Sequence, residues 1–253
     1  MRTLTSTPYS FLKTPGATEE RRADMLNAIF HFNDYYRDRF IAESARSLPA
    51  GSRVLDVGAG PCKYKPLFNH CDYKAQDFCA YEGPDLRYGS IDFVGDIQNI
   101  PVPDESFDAI LCTEVFEHIP RPDLALGEFA RILRHEGQLF LTAPQGSSIH
   151  MAPYHYYGGF TPHWYKHFLT EAGFRLDSCR PNGRFFRLYG QESQRFIDLL
   201  KPATLWLRVL VWPIRAMLAI WFKGLAPLVC AWLDPMDKTE AHTVGYFVKA
   251  TKV

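Results

Sequence analysis

53-RVLDVGAGPCKY-64 decides how this chain is read. A strand-length apolar run, an acid, a Gly-x-Gly turn and a stretch able to start a helix follow one another. An open α/β sheet builds a nucleotide pocket in that order. Glycines in such a turn let backbone approach a ligand closely and aim N–H groups at it. Gly58 and Gly60 fit the dinucleotide pattern G-x-G-x-x-G, but Lys63 stands at its third glycine. Asp56 is the more telling departure. A carboxylate roughly 5–7 Å from a phosphate in a partly dry cleft costs on the order of 1–3 kcal/mol. A ligand with an ammonium group and no phosphate gains there instead.

S-adenosylmethionine (SAM) has that chemistry, and two further tests support it. An acid should end the next strand, about 20 residues on, to accept from ribose hydroxyls; Asp77 in 73-YKAQDF-78 is placed to do so. Asp96 and Ile97 in 93-FVGDIQNIP-101 offer a side-chain acceptor and a backbone N–H to adenine. Taken alone, Asp56 also reads as a helix cap and the glycines as a tight turn. The ordered set of three favours the cofactor.

Outward from this stretch the pattern is regular. Residues 1–18, rich in Ser, Thr and Pro, read as a loose lead-in, and 19–48 as helices with Met25, Ile29, Phe32, Tyr36, Phe40 and Ile41 at spacings of three or four. Strand-length runs follow at 53–57, 73–76, 107–112 and 138–143, alternating with helical stretches, which predicts a parallel, doubly wound α/β sheet. The spacing predicts helices over 122–135, with Leu124, Leu126, Phe129, Ile132 and Leu133 on the apolar side, and over 161–173. Strands are predicted at 174–180 and 243–251.

The stretches 54-VLDVGAG-60, Asp77, 96-DIQNIPVPDESFDAILCTEVFEHI-119 and 126-LGEFARILRHEGQLFLTAP-144 resemble class I, Rossmann-like SAM-dependent methyltransferases, in the broad group that includes quinone-biosynthesis enzymes. The resemblance implies a seven-stranded sheet whose last strand is antiparallel, with helices 19–48 folding over the cofactor as a lid. It implies that Asp56, Gly58 and Gly60 line the methionine end of SAM, that Asp77 takes the ribose, Asp96 and Ile97 the adenine, and that Thr113 lies beside the methionine portion. Cys62 stands where a third loop glycine is common, which would narrow the loop slightly, and 135-HEG-137 replaces the usual Pro-Gly-Gly turn. The domain expectation is a tail and lid over 1–48 and a methyltransferase domain over 49–253, with an apolar helical insertion at about 190–235.

Methyl transfer needs alignment more than a fixed catalytic motif, so the chemistry is less legible. His118 and Glu114 are four apart and would share a helical face. His155 and Tyr156, with His150, Tyr154 and Tyr157, follow the fifth strand, where open sheets place ligands. His155, Tyr156 and His118 are the candidates for deprotonating an acceptor; packing roles explain the same residues. The six cysteines form no C-x-x-C pair, so neither metal nor disulfide is expected. The N-terminus has no secretory pattern, and a cytoplasmic setting is expected.

Residues 203–233, ATLWLRVLVWPIRAMLAIWFKGLAPLVCAWL, are too apolar for an ordinary surface. Lys201, Arg208, Arg215 and Lys223 fall on one narrow stripe of a helix, and Pro202, Pro213 and Pro227 should divide it. This suits a segment lying in a membrane interface, or equally an insertion packed on the sheet or across a homodimer with its cations in solvent. Zero formal net charge, and no basic stripe elsewhere, argue against a nucleic-acid partner. After the fourth strand the chain reads Cys112-Thr113-Glu114-Val115, without the Asn-Pro-Pro-aromatic motif of base-methylating enzymes. The expected function is methyl transfer from SAM to oxygen or carbon of a small or lipid-linked acceptor. The alternative is a SAM-binding or S-adenosylhomocysteine-binding (SAH-binding) protein without turnover, recruited to membranes; an NAD-dependent oxidoreductase fits poorly.

Overall fold

A computed structural model describes residues 17–84, 87–200, 202 and 204–253. Helices α1 (Ala17–Phe30) and α2 (Phe32–Ser47) precede strand β1 (Arg53–Val57). Then come β2 (Asp72–Asp77), β3 (Phe93–Val94), β4 (Phe107–Thr113), α3 (Pro122–Ile132), β5 (Leu133–Pro144), α4 (Pro162–Glu171) and β6 (Phe174–Pro181). The chain closes with α5 (Phe185–Leu199), α6 (Leu205–Ala219), α7 (Ala226–Leu233) and β7 (Gly245–Lys252).

The strands form one seven-stranded sheet in the order β3-β2-β1-β4-β5-β7-β6. β1 pairs in parallel with β2 and β4, and β4 with β5; β7 runs antiparallel between β5 and β6. This is the Rossmann-like methyltransferase architecture, with the last strand reversed as expected. The central strands are buried on both faces, which explains why they read as continuous apolar runs. Leu55, Val57, Ile110, Cys112, Leu139 and Leu141 join one core with Ala125, Leu126 and Phe129 of α3 and Tyr165 and Leu169 of α4. Val54, Ala109, Leu111 and Phe140 join the other with Phe40, Ile41 and Ala45 of α2. Each such aliphatic or aromatic side chain contributes about 1.5–3 kcal/mol by leaving water.

Local departures have local causes. Leu124 is exposed on α3, and Ala125 takes the buried position assigned to it. Residues 135–137 belong to β5 instead of forming a separate turn: Phe107 pairs with Leu133 and Ala109 with Gln138, so the intervening residues bulge. Glu136 absorbs that bulge at φ 60°. The expected breaks in the apolar segment are also displaced. Pro213 lies inside α6, and Leu205–Met236 is one helix of 32 residues with mean hydropathy 1.7 over an 18-residue stretch. The deviation is a π-helical turn at Ile220–Leu225, just before Pro227, whose ring would otherwise crowd the carbonyl four residues back.

Two cations of the stripe reach α5. Lys223 pairs with Asp198 at 2.7 Å, and Arg215 donates to the Ile197 carbonyl at 3.3 Å, both at the end of α5. Arg208 donates to the Pro202 carbonyl at 2.8 Å. Arg215 is thus half-buried against α5, whereas Lys223 and Arg208 remain exposed while paired. Lys201 lies outside the described residues. What faces outward is apolar, with Trp206, Trp212 and Trp232 at 66%, 67% and 75% exposure.

Candidate active site

Loops at the carboxyl ends of β1, β2, β3, β4 and β5 enclose a cavity of about 380 Å³, within the usual range for small-molecule sites. Gly58 and Gly60 supply one wall. Gly58 has φ 68°, and a Cβ there would stand 2.4 Å from Val115 Cγ2, so the turn requires glycine. Gly60 N–H donates to Asp77 Oδ2 at 2.8 Å, and Cys79 N–H to Asp77 Oδ1 at 3.0 Å. The acid at the end of β2 thus fastens the glycine loop and retains lone pairs for a diol.

Asp96, Ile97 and Gln98 form the next wall. Gln98 N–H donates to Asp96 Oδ1 at 2.9 Å, fixing that carboxylate's orientation. Across the cavity, Glu114 sits at φ 53° and accepts from Thr142 Oγ1 at 2.8 Å. Its other oxygen lies 3.5 Å from Arg37 of α2. The described lining contains three carboxylates, Asp77, Asp96 and Glu114, and no Lys or Arg.

Asp56 is placed differently from the sequence reading. Side chains alternate along a strand, and Asp56 shares the face of Val54, not the cavity wall. It is 2% exposed and accepts from Tyr73 OH at 2.6 Å. Burial pushes its carboxyl up to about 7, against the Tyr73 hydrogen bond; Asp77 raises it further. Direct contact with a ligand's ammonium is not the geometry seen, and the acids that face the cavity take over that electrostatic part. Thr113, half-buried at the end of β4, also stays off the wall. Cys62 does not narrow the loop: at φ 55° its thiol turns 3.6 Å from the Ser90 carbonyl.

His118 and Tyr156 line the cavity; His155 does not. Glu114 and His118 share no α-helical face, because the chain between them makes a 3-10 turn at Phe116–His118. The loop after β5 is tied to that turn by the Tyr156 N–H, which donates to the Glu117 carbonyl at 2.8 Å. Sequence reading missed Phe78, Tyr81, Tyr88 and Met151 on the wall. The aromatic density of 78-FCAYEGPDLRY-88 was the available signal.

The fold is Rossmann-like, with its cavity at the carboxyl ends of the strands. A profile described as Methyltransferase domain matches residues 55–141. A fatty-acid O-methyltransferase of Mycolicibacterium smegmatis is 33% identical over 125 residues, 44% of this chain and 43% of that protein. A ubiquinone biosynthesis O-methyltransferase of Xanthomonas axonopodis is 29% identical over 146 residues, 51% of this chain and 61% of that protein. The chain thus spans about half the length of the curated relatives it matches. A Galdieria sulphuraria structure described as a sarcosine dimethylglycine methyltransferase has TM-score 0.54 at 14% identity, over 85% of this chain and 84% of that one. The cyclase SpnF has TM-score 0.50 at 19% identity, over 85% and 81%. Residues 55–141 are thus similar to methyltransferase domains, and the chain shares its fold with a solved methyltransferase.

SAM fits the residues present. It is positively charged and free of phosphate, and the described lining offers it three carboxylates and no Lys or Arg. It also needs a close-approach turn, and Gly58 supplies one that no side chain can occupy.

Proposed function

We propose that this chain moves a methyl group from SAM to an oxygen or carbon of a small or lipid-linked acceptor. The carrying observation is the cavity at the strands' carboxyl ends, whose described lining holds three carboxylates and no Lys or Arg. A pyrophosphate would meet carboxylates there; a sulfonium with an ammonium meets complementary charge. Asp77 would hold the ribose hydroxyls, Asp96 and Ile97 the adenine, and the Gly58–Gly60 turn and Glu114 the amino-acid end. When bound, SAM supplies an electrophilic methyl group.

The chain's own work is alignment and water exclusion. Phe78, Tyr154, Tyr156 and Met151 give the acceptor end an aromatic, apolar wall, suited to a flat or long-chain acceptor. The Tyr154 carbonyl accepts from His118 Nδ1 at 2.6 Å, which fixes that ring on the cavity wall with its lone pair on Nε2. Relatives named for fatty-acid, quinone and sterol methylation support a lipid-like acceptor.

The outward apolar face of Leu205–Met236 supports entry of that acceptor from a membrane surface. A helix lying in the interface suits the topology better than a span, since β7 returns to the same sheet as β6. Incubation with labelled SAM and a cell lipid extract tests the reading: label in an organic-soluble product supports it, and label retained wholly in SAM defeats it. A protein that binds SAM or SAH without turnover is the second reading. It is favoured by the cyclase SpnF, which shares the fold without being named for methyl transfer.

A further inference from the structure

We propose that His118, His150 and His155 form a site for one divalent transition-metal ion of zinc type, at the acceptor end of the cavity. Each offers one ring nitrogen, and the three atoms lie within 4.8 Å of one another. Their ring centroids stand 4.7, 5.7 and 4.8 Å apart. No ion is expected from the cysteines, and the histidines come together only because the loop after β5 folds onto the turn after β4.

The tautomers favour ligation. His118 Nδ1 donates to the Tyr154 carbonyl at 2.6 Å, and His150 Nδ1 to the Ser148 carbonyl at 2.9 Å. Both rings therefore carry their lone pair on Nε2, oriented by backbone in the way outer partners fix metal-binding histidines. His155 Nδ1 is buried with no hydrogen-bond partner. That orphaned atom would be costly unless something fills it.

Beside them, buried Glu117 has one carboxyl oxygen 3.7 Å from His118 Nε2 and the other without a hydrogen-bond partner. Zinc–nitrogen bonds of about 2.0–2.1 Å place tetrahedral ligand nitrogens roughly 3.3 Å apart, so the cluster must contract on loading. His150 is exposed and can move by side-chain rotation alone. Three histidines with a fourth position open is a catalytic arrangement, not a closed structural one. His118, on the cavity wall, would direct that open position toward the acceptor. A hydroxyl oxygen bound there would lose its proton to solvent more readily, which makes it a better nucleophile. This role rests on the methyltransferase reading; the binding of metal does not.

The test uses the full-length chain, freed of any polyhistidine tag and stripped with chelator, titrated with zinc alone and with cobalt alone. The expected result is one equivalent bound at micromolar metal, with a tetrahedral cobalt absorption band. His150→Ala and His155→Ala should each weaken binding at least tenfold, while His167→Ala, on exposed α4 surface, should not. Absence of uptake, or uptake unchanged in both cluster variants, overturns the site. SAH calorimetry on the stripped protein keeps the outcomes separate: SAH binding without metal uptake removes only the metal site, whereas no SAH binding in either form removes the methyltransferase reading.

Discussion

Replacing Asp77 by Asn or Ala tests the loop and the ribose contact together. The carboxylate accepts from Gly60 N–H at 2.8 Å and from Cys79 N–H at 3.0 Å. Asn can satisfy only one of these through its oxygen, and its NH2 then faces the other donor. A hydrogen bond to a charged group contributes about 1.5–3 kcal/mol, so Asp77→Asn should lose that much from the ordered loop. Asp77→Ala loses both bonds, roughly twice as much, besides the acceptor for the diol. At 1.4 kcal/mol per tenfold, SAH should bind at least about tenfold weaker to the Asn variant and on the order of a hundredfold weaker to the Ala variant. Calorimetry with unreactive SAH gives the affinities, and thermal unfolding without ligand shows how much of the loss is loop order. A dissociation constant within twofold of the parent for Asp77→Ala would refute the assignment.

Three further expectations concern stability and the apolar helix. Gly58→Ala places a Cβ 2.4 Å from Val115 Cγ2 at φ 68° and should destabilise by about 1–3 kcal/mol in urea unfolding; adding Val115→Ala should recover the steric part but not the backbone strain. Glu117 is pushed up to about 8 by burial and then by Glu114, so the folded state holds a proton that the unfolded chain releases. Stability should therefore fall as pH rises from about 4.5 to about 8, and Glu117→Gln should flatten that slope; an unchanged slope contradicts the burial argument. Replacing Trp206, Trp212 and Trp232 together by Gln should abolish co-sedimentation with liposomes and leave SAH affinity unchanged, while equal sedimentation of both proteins excludes contact through this face.

The sheet and part of the cavity wall were legible because their signals are local. A Gly-x-Gly turn, an acid closing the next strand and Asp96-Ile97 each lie within a few residues of the backbone feature that positions them, and Gly58, Gly60, Asp77, Asp96 and Ile97 meet at one cavity. Asp56 illustrates where local reading stops: it stands two residues before Gly58, but strand alternation sends its carboxyl to Tyr73. The direction of the cationic stripe was hidden for a related reason. Helical periodicity puts Arg215 and Lys223 on one face without saying which neighbour that face meets, and α5 supplied the answer. The histidine cluster depends on two loops joined by backbone hydrogen bonds at Glu117, which no spacing pattern encodes.

The account stands on a cavity that selects a cationic nucleoside without phosphate. Competitive calorimetry with SAM, SAH, ATP and NAD measures that selection directly. Saturable one-to-one binding of SAM and SAH, undisturbed by excess ATP or NAD, is the predicted result. Binding of either pyrophosphate ligand while SAM and SAH give no heat would contradict it.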